Sequence, residues 1–219
     1  GCGSGNNGGD GFAMARMLAD HHNVTVLTDS DDVKMSAETK RNLTLASAGA
    51  RLIPWDDAAD AMAATYDIVI DALVGVGMRF PLDGLATARC NELDRCIAAM
   101  KIAVDVPTGL DAMTGHADTV FHADHTISMV APKPGFYRND GPSCVGHIHV
   151  VSIGAPENLV RSHTDHFVLE ASDVCAWLPA RDRRTSKFDY GRVLVVGGSR
   201  RMRGAPALTA HAALACGAG

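Results

Sequence analysis

Three polar turns in this chain carry residue types that suit the binding of a charged small molecule. The first is the turn GSGNNGGDG, residues 3–11, which leads into the apolar run FAMARMLA. Glycine-rich turns at the start of a helix present backbone N–H groups to phosphate. This turn also carries Asn6, Asn7 and Asp10, whose oxygens would repel an anion. The mixture raises the question of which positive charge offsets those oxygens.

The other two turns follow apolar segments that are typical of buried strands. Asp71 ends the first segment, and Gly75 and Gly77 keep the turn after it open. Asp105 and Thr108 stand at the end of the second. Since ligands of open parallel sheets bind at the carboxyl ends of the strands, all three turns are expected at one edge. A single glycine turn or strand-end Asp is often only a bend or a cap, but three on one edge favour a functional site.

Asn7, Asp71 and Thr108 offer an amide oxygen, a carboxylate and a hydroxyl from these turns. Oxygen donors suit a hard cation and are poor ligands for zinc or copper. Divalent sites usually gather more carboxylates, so the set favours a monovalent ion that would let a pyrophosphate approach the acidic edge. Asp10 is open to two interpretations, a cap for the following helix or a ligand contact.

Gly3, Gly5 and Gly8 also satisfy the G-x-G-x-x-G pattern of dinucleotide-binding turns, with Asp29 about 20 residues on. The pattern is weak when it stands alone. It keeps two alternatives open: a nicotinamide-dependent oxidoreductase, and a non-catalytic nucleotide-binding or interaction domain on the same scaffold.

The elements that must position these turns alternate between two periodicities. Strands that alternate with helices at this spacing predict a doubly wound, Rossmann-like parallel sheet of the α/β class. After a polar stretch, a second strand, glycine turn and helix begin. The predicted strands are 24–28, 51–55, 67–74, 101–107, 125–131, 147–156 and 192–199, and the predicted helices are 12–22, 33–48, 57–65, 84–100 and 205–219.

Composition narrows the function classes. The 219 residues are 47% hydrophobic and 21% charged, which is ordinary for a globular chain with a core. A formal net charge of −5 and a pI near 6.0 argue against nucleic acid as a partner. No apolar run approaches the roughly 20 residues that cross a bilayer. The six cysteines are scattered without a CxxC pair, which predicts reduced thiols and a cytoplasmic location.

Four motifs together resemble a known family. GSGNNGGDG, DALVGVG, AVDVPTGLD and APKPGF occur in the order found in NAD(P)H-hydrate epimerases, the YjeF N-terminal domain family. The resemblance covers residues 1–154. Residues 155–187 are expected to be a linker, and 188–219 resemble the start of an ADP-dependent NAD(P)H-hydrate dehydratase domain of ribokinase-like fold. We therefore expect the sequence to be an excerpt from a longer, bifunctional repair enzyme.

The resemblance implies a substrate, cofactors and site residues. The substrate would be hydrated NADH or NADPH, whose R and S forms the epimerase interconverts, and a homo-oligomer is compatible with it. The dehydratase domain would use ADP or ATP, and the epimerase domain would hold one K⁺ on Asn7, Asp71 and Thr108. Besides Asp105, the residues expected to contact the hydrate are Asn6, Asn7, Gly8, Gly9, Asp10, Gly75, Val76, Gly77, Met78, Arg79, Phe80 and Pro81.

Asp105 is the residue we expect to act as the catalytic acid and base, because a strand-end carboxylate beside a glycine turn can reach a ligand directly. That role would need a pKa raised by partial burial. A purely binding role for Asp105 remains the alternative. Lys133 in APKPGF has two interpretations, a charge near the pyrophosphate or an exposed loop residue.

Overall fold

The computed structural model describes residues 1–29, 35–178, 180, 182–186 and 189–218. It divides into two compact units, residues 1–166 and 167–219. The domain limits expected from the sequence stay a prediction, and residues 179, 181, 187 and 188 around the expected linker boundary lie outside the described part.

The first unit alternates helices and strands along the chain. Its helices are α1 (Asn6–Leu18), α2 (Ala37–Ala46), α3 (Ala59–Ala63), α4 (Gly84–Arg95), α5 (Gly141–Cys144) and α6 (Glu157–Ser162). Its strands are β1 (Thr25–Thr28), β2 (Arg51–Pro54), β3 (Thr65–Asp71), β4 (Ile97–Val104), β5 (His125–Met129) and β6 (His147–Val151). Two 3-10 turns lie at Trp55–Asp57 and Pro134–Tyr137.

All the strand pairs in these two sheets are parallel. The first sheet has the order β1-β2 and the second has the order β3-β4-β5-β6. Cys2 bridges Thr28 at the end of β1 on one side and Ala72 after β3 on the other, so the first residues of the chain lie between the two sheets. The connections run outward in opposite directions from this point, which confirms the doubly wound fold and makes it the place where a ligand cleft is expected.

Apolar layers cover both faces of the sheet. On one face, Phe12 and Ala15 of α1 pack in a buried cluster with Ala72 and Val104. On the other, Leu93 of α4 joins a cluster that includes Val69 and Phe121. The buried residues that end β3 and β4, around Val69 and Val104, are mostly apolar, as expected for strands covered on both faces.

The predicted limits of α1, α4 and α2 were wrong. Helix α1 begins at Asn6, inside the glycine turn, and ends at Leu18 rather than residue 22. Helix α4 ends at Arg95, because residues 97–100 pair with β3 as the first half of β4. Helix α2 begins at Ala37, where Ser36 accepts a hydrogen bond from the Thr39 N–H; residues 33 and 34 of the predicted helix lie outside the described part.

The second unit contains α7 (Ala171–Trp177) and α8 (Gly204–Ala215). The strand predicted over 192–199 is absent from this part of the described structure, where only an isolated bridge joins Ser199 to Met202. A strand needs a neighbouring strand with which to exchange its backbone hydrogen bonds, and the described residues of this unit form no such strand. The helix predicted for 205–219 does form as α8, although its last predicted residue, 219, lies outside the described part.

Two further features concern the whole described chain. Within the described residues, every helix is too short or too polar to cross a membrane. All six cysteines are free thiols, and burial raises the pKa of Cys2 and Cys144 to about 11 and that of Cys90 to about 12. Such buried thiols are unreactive.

Candidate functional site

A cavity of about 710 Å³ opens at the carboxyl edge of the sheet, beside the point where the strand order reverses. Its walls come from the glycine turn, the turn after β3, the start of α4, the residue after β4 and the segment after β5. The three turns predicted to share an edge therefore do meet. The lining residues are 3–7, 10, 29, 73–77, 83, 85, 86, 89, 105, 129, 130 and 133.

The glycine turn is packed against backbone on both sides. The Gly3 N–H donates to the Ala72 carbonyl at 3.0 Å. A Cβ at Gly3 would lie 2.1 Å from the Leu73 carbonyl oxygen, and one at Gly8 would lie 1.7 Å from the Gly3 carbonyl oxygen. Only glycine fits at these two positions, so the turn brings the first N–H groups of α1 close to the end of β3.

Of the two interpretations of Asp10, the helix cap was wrong. Gly5 is the N-cap residue, no side chain caps the helix, and Asp10 lies beyond the first turn. Asp10 lines the cavity instead. Burial, and secondarily the charge of Asp105, raise the pKa of its carboxyl group. A carboxyl group with a raised pKa keeps its proton to a higher pH, so it is better able to act as a general acid.

Asp71 and Thr108 form a buried cluster beneath the cavity. The Asp71 carboxylate accepts hydrogen bonds from the Thr108 N–H at 2.7 Å, the Thr108 hydroxyl at 2.8 Å and the Leu73 N–H at 3.1 Å. The Thr108 hydroxyl in turn accepts from the Val74 N–H at 3.1 Å. Burial raises the pKa of Asp71, and the hydrogen bonds oppose that shift.

This donor set fits a hard monovalent cation. All three donors to Asp71 are neutral groups, and no Lys or Arg side chain of the described residues pairs with it, so the buried carboxylate retains a charge to be offset. The oxygens grouped here belong to the Asp71 carboxylate, the Thr108 hydroxyl and the Val74 backbone carbonyl. Within the described part of the chain, no group of three His, Cys, Asp or Glu residues could hold a transition metal.

Asn7 reaches the same region from α1. Its side-chain nitrogen is buried and has no hydrogen-bond partner among the described residues. A Cβ at Gly75 would lie 3.3 Å from the Asn7 side-chain oxygen and 2.8 Å from Asp105 Oδ2. Gly75 therefore leaves space between an amide and a carboxylate that both face the cavity.

Asp105 is held by two contacts on opposite oxygens. Lys133 Nζ lies 2.7 Å from Asp105 Oδ1, and the Val76 N–H donates to Oδ2 at 3.0 Å. The backbone of Asp105 is left-handed, with φ of 67°. Such a conformation is uncommon for a residue with a side chain and is tolerated best by Asn and Asp.

Lys133 is in turn fixed by the end of β5 and the first residues after it. Its ammonium group donates to Ser128 Oγ at 2.9 Å, to the Met129 carbonyl at 3.0 Å and to the Ala131 carbonyl at 3.2 Å. Both side chains of the Lys133–Asp105 pair are only 14% exposed. The exposed-loop interpretation of Lys133 was therefore wrong, and the lysine is part of the cavity wall.

The structure brings together most of the predicted contact residues. Asn6, Asn7, Asp10 and Asp105 line the cavity, as do residues 75–77, whereas Asp71 and Thr108 lie beneath it. Gly8 and Gly9 are buried below the turn, and residues 78–81 are outside the lining. The glycines act through close packing, and the expected contacts of Met78, Arg79, Phe80 and Pro81 stay a prediction.

Two pairings at this site were not predicted. One is Lys133 with Asp105, and the other is Arg89 of α4 with Asp29 after β1. Charge alone could not have identified them, because the partners are 28 and 60 residues apart in the chain. The sequence feature that the two pairs share is the position of their carboxylates. Asp29 and Asp105 each follow a parallel strand, and the carboxyl ends of these strands share an edge.

Residues 1–135 match the family described as YjeF-related protein N-terminus. The chain is 35% identical to a bifunctional NAD(P)H-hydrate repair enzyme of Moorella thermoacetica over all of this chain and 43% of that protein. The corresponding enzyme of Escherichia coli is 34% identical over all of this chain and 42% of its own length.

A shorter relative and a solved structure are also similar to this chain. An NAD(P)H-hydrate epimerase of Rhodopirellula baltica is 38% identical over 73% of this chain and 67% of that protein. The crystal structure of yeast ynu0, YNL200c, superposes with a TM-score of 0.61 and 22% identity, covering 78% of this chain and 73% of the yeast chain. The chain thus spans less than half the length of the bifunctional relatives, and the yeast structure shares its fold.

Proposed function

This chain belongs to the family of YjeF-related protein N-termini, and on that premise we propose that its first unit is an NAD(P)H-hydrate epimerase. It interconverts the R and S forms of hydrated NADH and NADPH. The observation that carries the proposal is the Asp105 carboxylate, held by Lys133 and Val76 in the cavity formed by the three turns. The names of the relatives that align with the chain support the same activity.

The reaction requires a carboxyl group of the protein beside the hydrated nicotinamide ring. The ring nitrogen expels the hydroxyl group as water once an acid has given it a proton, and the C–O bond breaks to leave a planar, iminium-like ring. Water then adds to the opposite face and returns a proton to the carboxylate. We assign Asp105 to this acid and base role and to the stabilisation of the cationic ring. The raised pKa of Asp10 supports it as a second proton donor in the same cavity.

The proposal includes one K⁺ in the epimerase unit. Asp71 and Thr108, with Asn7 from the glycine turn, would hold it, and their oxygen donors support that choice. A bound cation would offset the buried charge of Asp71 and the acidic edge of the cavity. It would thereby let the pyrophosphate of the substrate lie near the start of α1.

The remainder of the chain supports a second activity in the whole protein. We propose that residues 188–219 begin an ADP-dependent NAD(P)H-hydrate dehydratase domain, which would use ADP or ATP. The bifunctional relatives align over the whole of this chain and extend well beyond it, in agreement with this assignment. Six free cysteines favour a reducing compartment, so we propose a cytoplasmic location.

Chiral chromatography of NADH hydrate tests the proposed function. Purified R hydrate incubated with the protein should convert to an R and S mixture much faster than in buffer alone. An oxidoreductase would instead leave the hydrates unchanged and consume NAD with an alcohol. Conversion at the buffer rate, with or without potassium, would contradict the proposal.

Potassium should also stabilise the folded protein. A cation at 100 times its dissociation constant adds about 2.7 kcal/mol to the free energy of unfolding. For a unit of this size the melting temperature would then rise by roughly 5–10 °C. Differential scanning calorimetry in potassium chloride and in tetramethylammonium chloride measures the difference.

Thr108 provides a matched pair of variants for the potassium measurement. Thr108→Ser keeps the hydroxyl that bonds Asp71 and should keep the potassium response. Thr108→Val removes that hydroxyl and should lose the response. Equal melting temperatures for the unsubstituted protein in the two salts would argue against a potassium site.

A further inference from the structure

A second ion pair lies in the cavity wall, on elements different from those that carry the Asp105–Lys133 pair. Asp29 directly follows β1, and both of its carboxylate oxygens contact the two terminal nitrogens of Arg89 in α4. The two side chains are 19% and 15% exposed, and both residues line the cavity. The pairing is therefore a fork-to-fork contact between a strand end and a helix.

Arg89 is restrained from two directions. Its guanidinium carbon lies 5.8 Å from the centre of the Trp55 ring, close enough for a cation–π contact. The contact with Asp29 occupies both of its terminal nitrogens. A phosphate could reach only the N–H groups of Arg89 that this contact leaves free, and it would then lie beside the Asp29 carboxylate.

The position of Asp29 in the fold indicates what it meets. In doubly wound dinucleotide folds, the carboxylate after the second strand bonds the ribose 2′-hydroxyl, and a nearby arginine accommodates a 2′-phosphate. Here the segment from Gly1 to Gly3 takes the place of the first strand and β1 that of the second. Asp29 thus occupies the position that contacts the adenosine ribose in those folds.

The charges that line the cavity also favour a ribose 2′-hydroxyl over a 2′-phosphate beside Asp29. Four carboxyl groups line the described cavity against two cationic side chains, and each of the two cations is already paired with one of those carboxylates. A 2′-phosphate would bring close to two further negative charges to this wall. A ribose hydroxyl would instead donate a hydrogen bond to Asp29 at no charge cost.

We propose that the Asp29–Arg89 pair reads the 2′ position of the adenosine ribose and makes the site select the unphosphorylated dinucleotide hydrate. The inference rests on the proposed function for the identity of the substrate. The discrimination itself concerns any adenosine nucleotide that enters this cavity, which allows the two ideas to be tested separately.

The test measures binding of 5′-AMP and of adenosine 2′,5′-bisphosphate by isothermal titration calorimetry. The unsubstituted protein should bind 5′-AMP more tightly. Asp29→Asn keeps the side-chain size, removes the repelling charge and frees Arg89, so it should shift the affinity ratio toward the bisphosphate by about tenfold or more. Arg89→Met leaves the Asp29 charge unopposed and should shift the ratio in the other direction.

The chain offers a matched control. Glu157→Gln also breaks a carboxylate–arginine pair, with Arg161, but that pair is exposed on α6 and lies outside the cavity. It should leave the affinity ratio unchanged, and melting temperatures of all three variants establish that they are folded. Tighter binding of the bisphosphate by the unsubstituted protein, or ratios within twofold for both Asp29→Asn and Arg89→Met, would overturn the proposal.

Epimerisation rates extend the test to the substrate. The ratio of kcat/KM for NADH hydrate over NADPH hydrate should fall in Asp29→Asn and be unaffected in Glu157→Gln. If the hydrates epimerise but their ratio is the same in Asp29→Asn, the discrimination is disproved and the proposed function stands. If nothing epimerises but the nucleotide ratio shifts as expected, the proposed function fails and the discrimination stands.

Discussion

Asp105→Asn should lower the rate of NADH-hydrate epimerisation by about 10²–10⁴-fold, the usual range for the loss of a general acid or base. Asn cannot exchange a proton with the substrate or stabilise a cationic ring by its charge. The fold should persist, because Asn tolerates the left-handed backbone found at this position, with φ of 67°. The Val76 N–H can donate to the amide oxygen as it does to the carboxylate. Chiral chromatography gives the rate, and calorimetry gives the melting temperature.

Asp67→Asn is the control for this substitution, since Asp67 is an exposed residue of β3 outside the cavity. It removes the same charge from the protein and should leave epimerisation unchanged. Hydrate binding should remain detectable in Asp105→Asn, because the other cavity residues are intact. Near-normal turnover in a folded Asp105→Asn protein would rule out the catalytic role and leave Asp105 as a binding residue.

Gly8→Ala should have the largest effect on stability. The added Cβ would lie 1.7 Å from the Gly3 carbonyl oxygen, 2.6 Å from its carbon and 2.9 Å from its nitrogen. These are backbone atoms that cannot rotate away, so the glycine turn must move relative to α1. We expect the free energy of unfolding to fall by about 1–3 kcal/mol or more, as for other overpacked sites, with loss of epimerisation. Urea denaturation measures the first effect.

Gly5→Ala in the same turn separates overpacking from the general cost of replacing glycine. A Cβ at Gly5 would meet no atom within 4 Å, and the backbone there has an ordinary φ of −85°. This variant should unfold at the same urea concentration as the unsubstituted protein, or slightly higher, because alanine reduces the entropy of the unfolded chain. Equal stability of Gly5→Ala and Gly8→Ala would show that the close contact does not hold the turn.

Much of the fold follows from local pattern. The apolar runs around Val69 and Val104 are long enough to be covered on both faces, and that composition predicted the parallel sheet confirmed here. Element limits were less accurate where two structures compete for one segment. Residues 97–100 have helical spacing, yet they pair with β3 because the adjacent strand satisfies their backbone hydrogen bonds.

The candidate site was likewise predicted in part from the sequence and decided in part by packing. Residue type and the rule for strand ends were enough to predict that Asn7, Asp71, Asp105 and Thr108 approach one edge of the sheet. Which atoms meet at that edge was decided by packing. Gly3 and Gly8 bring α1 so close to the end of β3 that Asn7 faces Asp105 across Gly75.

The charge pairs were the part that only the tertiary structure decided. Lys133 and Arg89 stand in segments with no local pattern that selects a partner from the 25 Asp and Glu residues of the chain. Their partners are set by where β1, β4 and β5 end after the sheet has formed, since an ion pair depends on distances of a few ångströms in space. Periodicity along a chain reports which face a residue occupies, and it carries no information about which distant residue lies opposite.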